Sequence, residues 1–226
     1  MNPHLKRRTI LFAIAILLVA LPCFWVRHQY HQIKLDRALI AAVRAGEAER
    51  VVSLLAAGAN PSARDTPETK QSVIQILQSL FHRTPINRGT PALMCALEPL
   101  YIYNPGKVHP ANPHIIYALI KIGTDVNAKD ALRKTGLIDA AIVGDSESVK
   151  ALTSAHADVN ARDDNGFTAL MWAVLSANLT GNRDSVKILI AARSDVNARD
   201  DRGKSILQWA IGPDLKAILR KAGATE

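Results

Sequence analysis

The chain has 226 residues, 48% hydrophobic and 21% charged, a composition that supports a folded core and excludes an intrinsically disordered chain. Aromatic residues make up only 5%, which favours close-packed helices over sheet. The net charge of +8 falls to a surplus of 25 basic over 20 acidic residues once the first 26 residues are set aside, too thin a spread to suggest a nucleic-acid track.

The first element is apolar. Lys6, Arg7 and Arg8 close a basic flank, residues 1–8, ahead of an uncharged run from Thr9 to Val26. Those 18 residues would span roughly 27 Å as a helix, close to the thickness of a hydrocarbon core. Phe24 and Trp25 stand at its far end, where interfacial aromatics belong. The reading is a transmembrane helix over 9–26 acting as a signal anchor. A cleaved signal peptide is the alternative, which would leave a soluble periplasmic or secreted protein, but "ALPCFW" offers no small-x-small site. The basic flank puts the N-terminus in the cytoplasm and the soluble part on the periplasmic or extracytoplasmic side. Residues 27–34 read as a juxtamembrane linker. His28 and His31 have helical spacing for a metal but no third ligand, so they read as interfacial polar residues. Cys23 lies in the apolar run and Cys95 in a helical stretch, and no bond between them is expected.

Beyond residue 34 one phrase recurs. "DVNAKD" occupies 125–130 and "DVNARD" occupies both 158–163 and 195–200, while "GANPSARD" at 58–65 aligns with "GTDVNAKD" at 123–130. Asp130 and Asp163 are 33 residues apart, Asp163 and Asp200 are 37 apart, and Asp65 and Asp130 are 65 apart. A 33-residue period with insertions follows, with units about 35–65, 66–130, 131–163, 164–200 and 201–226. In the unit 131–163, Leu137, Ala140 and Ala141 suit a short helix with a small-residue face. Gly144 ends it, Asp145 or Ser146 caps the next, and Val149, Leu152 and Ala155 share a face of that second helix.

Two insertions lengthen the second unit. Residues 66–88 contain "KQSVIQILQSLFHR", which lines up Val73, Ile74, Leu77, Leu80 and Phe81 on one helix face. The segment either folds back over the repeats or serves as a recognition element. Residues 100–110, "LYIYNPGKVHP", bring Tyr101 and Tyr103, which either cover the stack or meet a partner. His109 and His114 flank this Pro-rich turn and read as solvated loop.

The units resemble ankyrin repeats, whose pattern runs T-P-L-H-x-A-A-x-x-G and then V-x-x-L-L-x-x-G-A-D-V-N-A-x-D. The copies include "TGLIDAAIVGDSESVKALTSAHADVNARD" at 135–163 and "RALIAAVRAGEAERVVSLLAAGANPSARD" at 37–65, and the skeleton recurs at 91–130, 168–200 and 205–226. The resemblance implies an all-α solenoid of stacked helix–turn–helix units with hairpin fingers over 35–226, here preceded by the single transmembrane helix. It also implies protein binding through fingertips and the concave, inner-helix face. Two departures stand out. Ile40, Met94, Ile138, Met171 and Gln208 replace the pattern's His. The Gly that closes the second helix is kept as Gly58, Gly123 and Gly223 but becomes His156 and Arg193 in two units. The last unit reads as a cap with Lys216, Arg220 and Lys221 outside.

Other chemistry is not supported. Counting "ARDDNG" at 161–166 as a calcium loop puts Ala161 and Trp172 where an acid and a Glu are needed. The repeated phrase therefore reads as structural, with Asn127, Asn160 and Asn197 bonding nearby backbone and Val126, Val159 and Val196 packing beneath. No nucleotide-, hydrolase- or zinc-type motif occurs, so neither catalysis nor a cofactor nor a metal is expected. Asn178-Leu179-Thr180 is a glycosylation sequon, relevant only in a eukaryotic secretory lumen. Candidate protein-binding residues are Arg133, Lys134, Arg162, Asp164, Asn165, Phe167, Trp172, Arg202, Lys204 and Trp209. The expectation is a monomeric, membrane-anchored module for a protein partner, with the bilayer engaged through 9–26 and no nucleic acid. The alternative is an immunity or chaperone-like factor that neutralises or protects one dedicated enzyme beyond the membrane.

Overall fold

The computed structural model describes residues 27–65, 90–97 and 112–226. The apolar segment 9–26 and the insertions at 66–88 and 100–110 lie outside the described residues. Among the described residues no helix is long and apolar enough to cross a membrane.

Helix α1 covers 27–44 and α2 covers Ala48–Ala56. Strands β1 (Arg64–Asp65) and β2 (Thr90–Pro91) follow, then α3 (Ala92–Cys95) and α4 (Pro113–Lys121). The remaining helices are α5 (Gly136–Val143), α6 (Ser146–Ser154), α7 (Ala169–Thr180), α8 (Asp184–Ala191), α9 (Ile206–Trp209) and α10 (Pro213–Lys221). Helices α3, α5, α7 and α9 touch in succession as an inner layer, and α2, α4, α6 and α8 do so as an outer layer. Helices α5 and α6, and likewise α7 and α8, pair across the layers.

The two layers follow from composition. Inner helices are apolar nearly all round: α5 buries every residue from Gly136 to Ala141, and α7 buries Ala169, Leu170, Met171, Ala173 and Val174. Alanines at Ala140, Ala141 and Ala173 let neighbouring inner helices approach closely. Outer helices have one apolar stripe, such as Val149 and Leu152 on α6 or Leu215 and Leu219 on α10. Thr135 and Thr168 cap α5 and α7 by accepting from the amides of Ile138 and Met171, at 3.4 Å each. Asp145 caps α6 through Ser148 N at 3.2 Å, directly after Gly144 in left-handed geometry.

Residues 27–34, expected as a linker, are helical and run without a break into α1. Gln32 Nε2 donates to Gly58 O at 2.8 Å, and Asp36 Oδ1 accepts from Asn60 N at 2.8 Å. The extension of α1 is thus bonded to the loop that follows α2.

The recurring phrase holds consecutive loops together. Asn127 Oδ1 accepts from Asp158 N, Asn160 Oδ1 from Asp195 N, and Asn197 Oδ1 from Thr225 N, each at 2.8 Å. Ser62, aligned with these asparagines, accepts from Asp125 N through its hydroxyl at 3.4 Å. The basic residue two places on adds a second rung. Arg64 reaches Lys129 O at 2.7 Å, Arg162 reaches Arg199 O at 2.7 Å, and Arg199 reaches Glu226 O at 2.8 Å. The fingers open alike, through the bridges Lys129–Thr135, Arg162–Thr168 and Arg199–Ser205. Arg64 and Pro91 occupy the same register across the first insertion, so its two ends leave from a closed stem.

His156 and Arg193 adopt φ of 61° and 64°, matching the left-handed Gly58, Gly123 and Gly223. A side chain in that region costs about 1–2 kcal/mol. His156→Gly and Arg193→Gly should each raise stability by about 1 kcal/mol in urea unfolding, after the extra chain entropy of glycine is subtracted.

The ladder uses only the acceptor of Asn160. Asn160→Ala should lower stability by about 1 kcal/mol and speed exchange of the Asp195 amide, while Asn160→Asp keeps most of both.

Candidate protein-binding surface

Each finger turns about one carboxylate. Asp163 Oδ1 accepts from Asn165 N at 2.8 Å and Phe167 N at 2.9 Å, and Asp200 Oδ1 accepts from Arg202 N and Lys204 N at 2.9 Å each. Asp130 Oδ1 does the same for Leu132 N and Lys134 N at 2.8 Å. Both Asp163 and Asp200 are only 4% exposed.

The second oxygen orients the groove. Asp163 Oδ2 accepts from the indole of Trp172 at 2.9 Å, and Asp200 Oδ2 from that of Trp209 at 3.2 Å. The tryptophans project from α7 and α9 and are half-buried. Their polar edges are held, so what remains for a partner is ring surface. Phe167 sits between them, its centroid 5.1 Å from Trp172 and 5.2 Å from Trp209, in tilted contacts. Lys204 Nζ lies 4.5 Å above the Trp209 ring.

One repeat earlier, Asp139 takes the slot of the tryptophans. It is 5% exposed, and Lys134 Nζ bonds it at 2.9 Å while standing 3.6 Å from Asp130. A lysine bridge thus replaces the indole link. Burial depresses the Lys134 pKa, but the hydrogen bond and charge of Asp139, then Asp130, outweigh it and raise the value above the ordinary 10.5. Asp139 was not among the sequence candidates. Its signal was present, because it follows Asp130 by the nine residues that separate Asp163 from Trp172 and Asp200 from Trp209.

The other candidates divide. Phe167, Trp172, Trp209 and Lys204 form the cluster just described. Arg162 donates to Arg199 O and lies 3.3 Å from Asp201, so it ties two fingers together. Arg133 stands 3.9 Å from Asp164 and has φ of 57°, in the position of Gly166 and Gly203. Asp164 N donates to Leu132 O and Asp201 N to Asn165 O, so the tips of successive fingers are also bonded. Arg202 is exposed at the last tip. Asn178 of the sequon is engaged, donating to Trp209 O at 2.8 Å and accepting from Ile211 N at 3.1 Å. Cys95 is buried, its thiol 3.7 Å from Thr90 O.

Paired helix layers, hairpin fingers and a side-chain groove along the inner helices define a repeat solenoid built for surface recognition. The chain matches the family described as "Ankyrin repeats (3 copies)" over residues 108–200 and 138–220, together half its length, and it belongs to that family. Ankyrin repeats are protein-interaction modules. No curated protein matches the chain.

Replacing Lys134 removes the ammonium that buried Asp139 shares with Asp130. Lys134→Met should cost about 2 kcal/mol or more in urea unfolding at pH 7, and Lys134→Met with Asp139→Leu should recover most of it. Since the folded value is raised, the lysine's contribution is full below 10.5 and is lost as pH rises through the folded value. The gap between wild type and Lys134→Met should therefore narrow in unfolding curves taken above that pH.

Proposed function

We propose that this chain is a membrane-tethered adaptor that binds a protein partner through its concave face and fingertips and performs no catalysis itself. The observation that carries the reading is the Phe167, Trp172 and Trp209 cluster, three half-buried rings lying together along the groove. Aromatic side chains with fixed orientation bind at low entropic cost and are enriched at interface hot spots.

The array in this reading has five units over 35–226. Gly58 has the left-handed geometry of Gly123 and Gly223, and Arg64 makes the finger-to-finger bond of Arg162, which supports extending the array ahead of the matched residues. The tether is the apolar run 9–26 with its N-terminus in the cytoplasm, which places the repeats beyond the membrane. The helical stretch from residue 27, bonded to the first loop through Gln32 and Asp36, supports a short and stiff connection.

Capture from detergent-solubilised membranes tests the reading. Phe167→Ala should lose about tenfold or more of the recovered partner, while Leu179→Ser, at an 88% exposed position outside the aromatic cluster, should recover as wild type does. Equal recovery by both variants would remove the concave face from the proposal. Alkaline extraction and a C-terminal topology reporter check the tether and its direction.

A further inference from the structure

We propose that the partner's docking segment is acidic and apolar together, with a carboxylate seated on Arg202 and Lys204 and a large apolar side chain lying on the adjoining rings. The inference rests on the protein-binding reading above and adds the chemistry of the bound segment.

Charge bookkeeping at the fingertips, inside the bridges that open them, singles out the last one. Arg133 is paired with Asp164, Lys134 with Asp139 and Asp130, and Arg162 with Asp201. Arg202 and Lys204, both exposed, have no ion pair among the described residues. The acids adjoining them in sequence do not serve them. Asp201 is held by Arg162 at 3.3 Å. Asp200 is 4% exposed and saturated by two backbone amides and the Trp209 indole. Asp200 collects the backbone amides of Arg202 and Lys204 on one oxygen, which fixes both residues at a single tip. Positive charge without an internal partner therefore sits where the aromatic cluster begins, with Lys204 directly over the Trp209 ring.

An ammonium over an aromatic ring is partly shielded from water on one side, so an incoming carboxylate gains more there than at a free lysine. The Phe167 and Trp172 rings then take an apolar neighbour of that carboxylate. A nucleic acid fits less well. Stacking platforms for single strands are joined by a run of cations that tracks the backbone. Here Asp164 on the preceding finger and Asp201 on the last one are each matched to an arginine of the finger before, which interrupts any such run among the described residues.

The test is selection of displayed random peptides on the full chain in mild detergent. Enriched peptides should pair Asp or Glu with a large apolar residue one to three positions away. Arg202→Glu with Lys204→Glu, both at exposed positions, should weaken them about tenfold or more, and exchanging the peptide acids for lysine should restore binding to that variant. Enriched peptides that lose binding with Phe167→Ala but ignore both charge reversals would overturn this inference and leave the protein-binding surface standing. Oligothymidylate binding as tightly as the peptides, with the same dependence on Arg202 and Lys204, would overturn it in favour of a nucleic acid. Failure to enrich any peptide dependent on Phe167 would overturn both readings.

Discussion

A repeat of about 33 residues cannot bury its own apolar face, so this fold depends on whatever makes one unit sit in register on the next. Here that is a side-chain amide carbonyl accepting one backbone N–H from the neighbouring loop. Asn127, Asn160 and Asn197 each do so at 2.8 Å, in step with the helix packing below. Each bond is worth little alone. Its position is what matters: the donor stands just where the chain leaves an outer helix, so the bond fixes both the spacing and the rotation of the following loop. The arginine rungs beside it repeat the constraint toward the finger stem. Between them the two rungs hold the loops without the histidine that the common pattern supplies.

In two of the fingers, turn closure and groove geometry share one carboxylate. The carboxylates of Asp163 and Asp200 close their turns with one oxygen and aim an indole with the other. A change in finger geometry therefore turns the tryptophan as well. The unit with Asp139 keeps the same frame and swaps the contents, bridging Asp130 to Asp139 with Lys134. Groove chemistry can vary from charged to aromatic along the stack because the frame that positions it does not vary.

Much of this was legible in the sequence, for reasons that can be stated. Alignment of the repeats exposes a position occupied by Gly58, Gly123 and Gly223, and so marks His156 and Arg193 as left-handed. The same comparison would have marked Arg133 against Gly166 and Gly203, but the fingertips vary enough to hide it. The polar phrase "DVNARD" points to turn structure in sequence, yet the donor end of each asparagine bond is hidden there. Its donors lie 31, 35 and 28 residues away, in the next unit, and a single repeat contains no trace of them. Arg162 shows the opposite limit. A charged residue beside the fingertip resembles a contact residue in sequence, and only the position of the next finger reveals that its guanidinium is already engaged.

In the proposed reading, the aromatic cluster couples the end of the stack to a bound partner. Phe167 and Trp172 belong to one unit and Trp209 to the last, which among the described residues has a neighbour on one side only. An end unit in a nearest-neighbour stack opens more readily than an internal one, because it has a single interface to lose. Any segment lying across Phe167 and Trp209 binds the docked unit and not the opened one. Binding must then stabilise the C-terminal unit by mass action. With the cluster at that junction, a partner bound as proposed would set the order of an end unit of the described array.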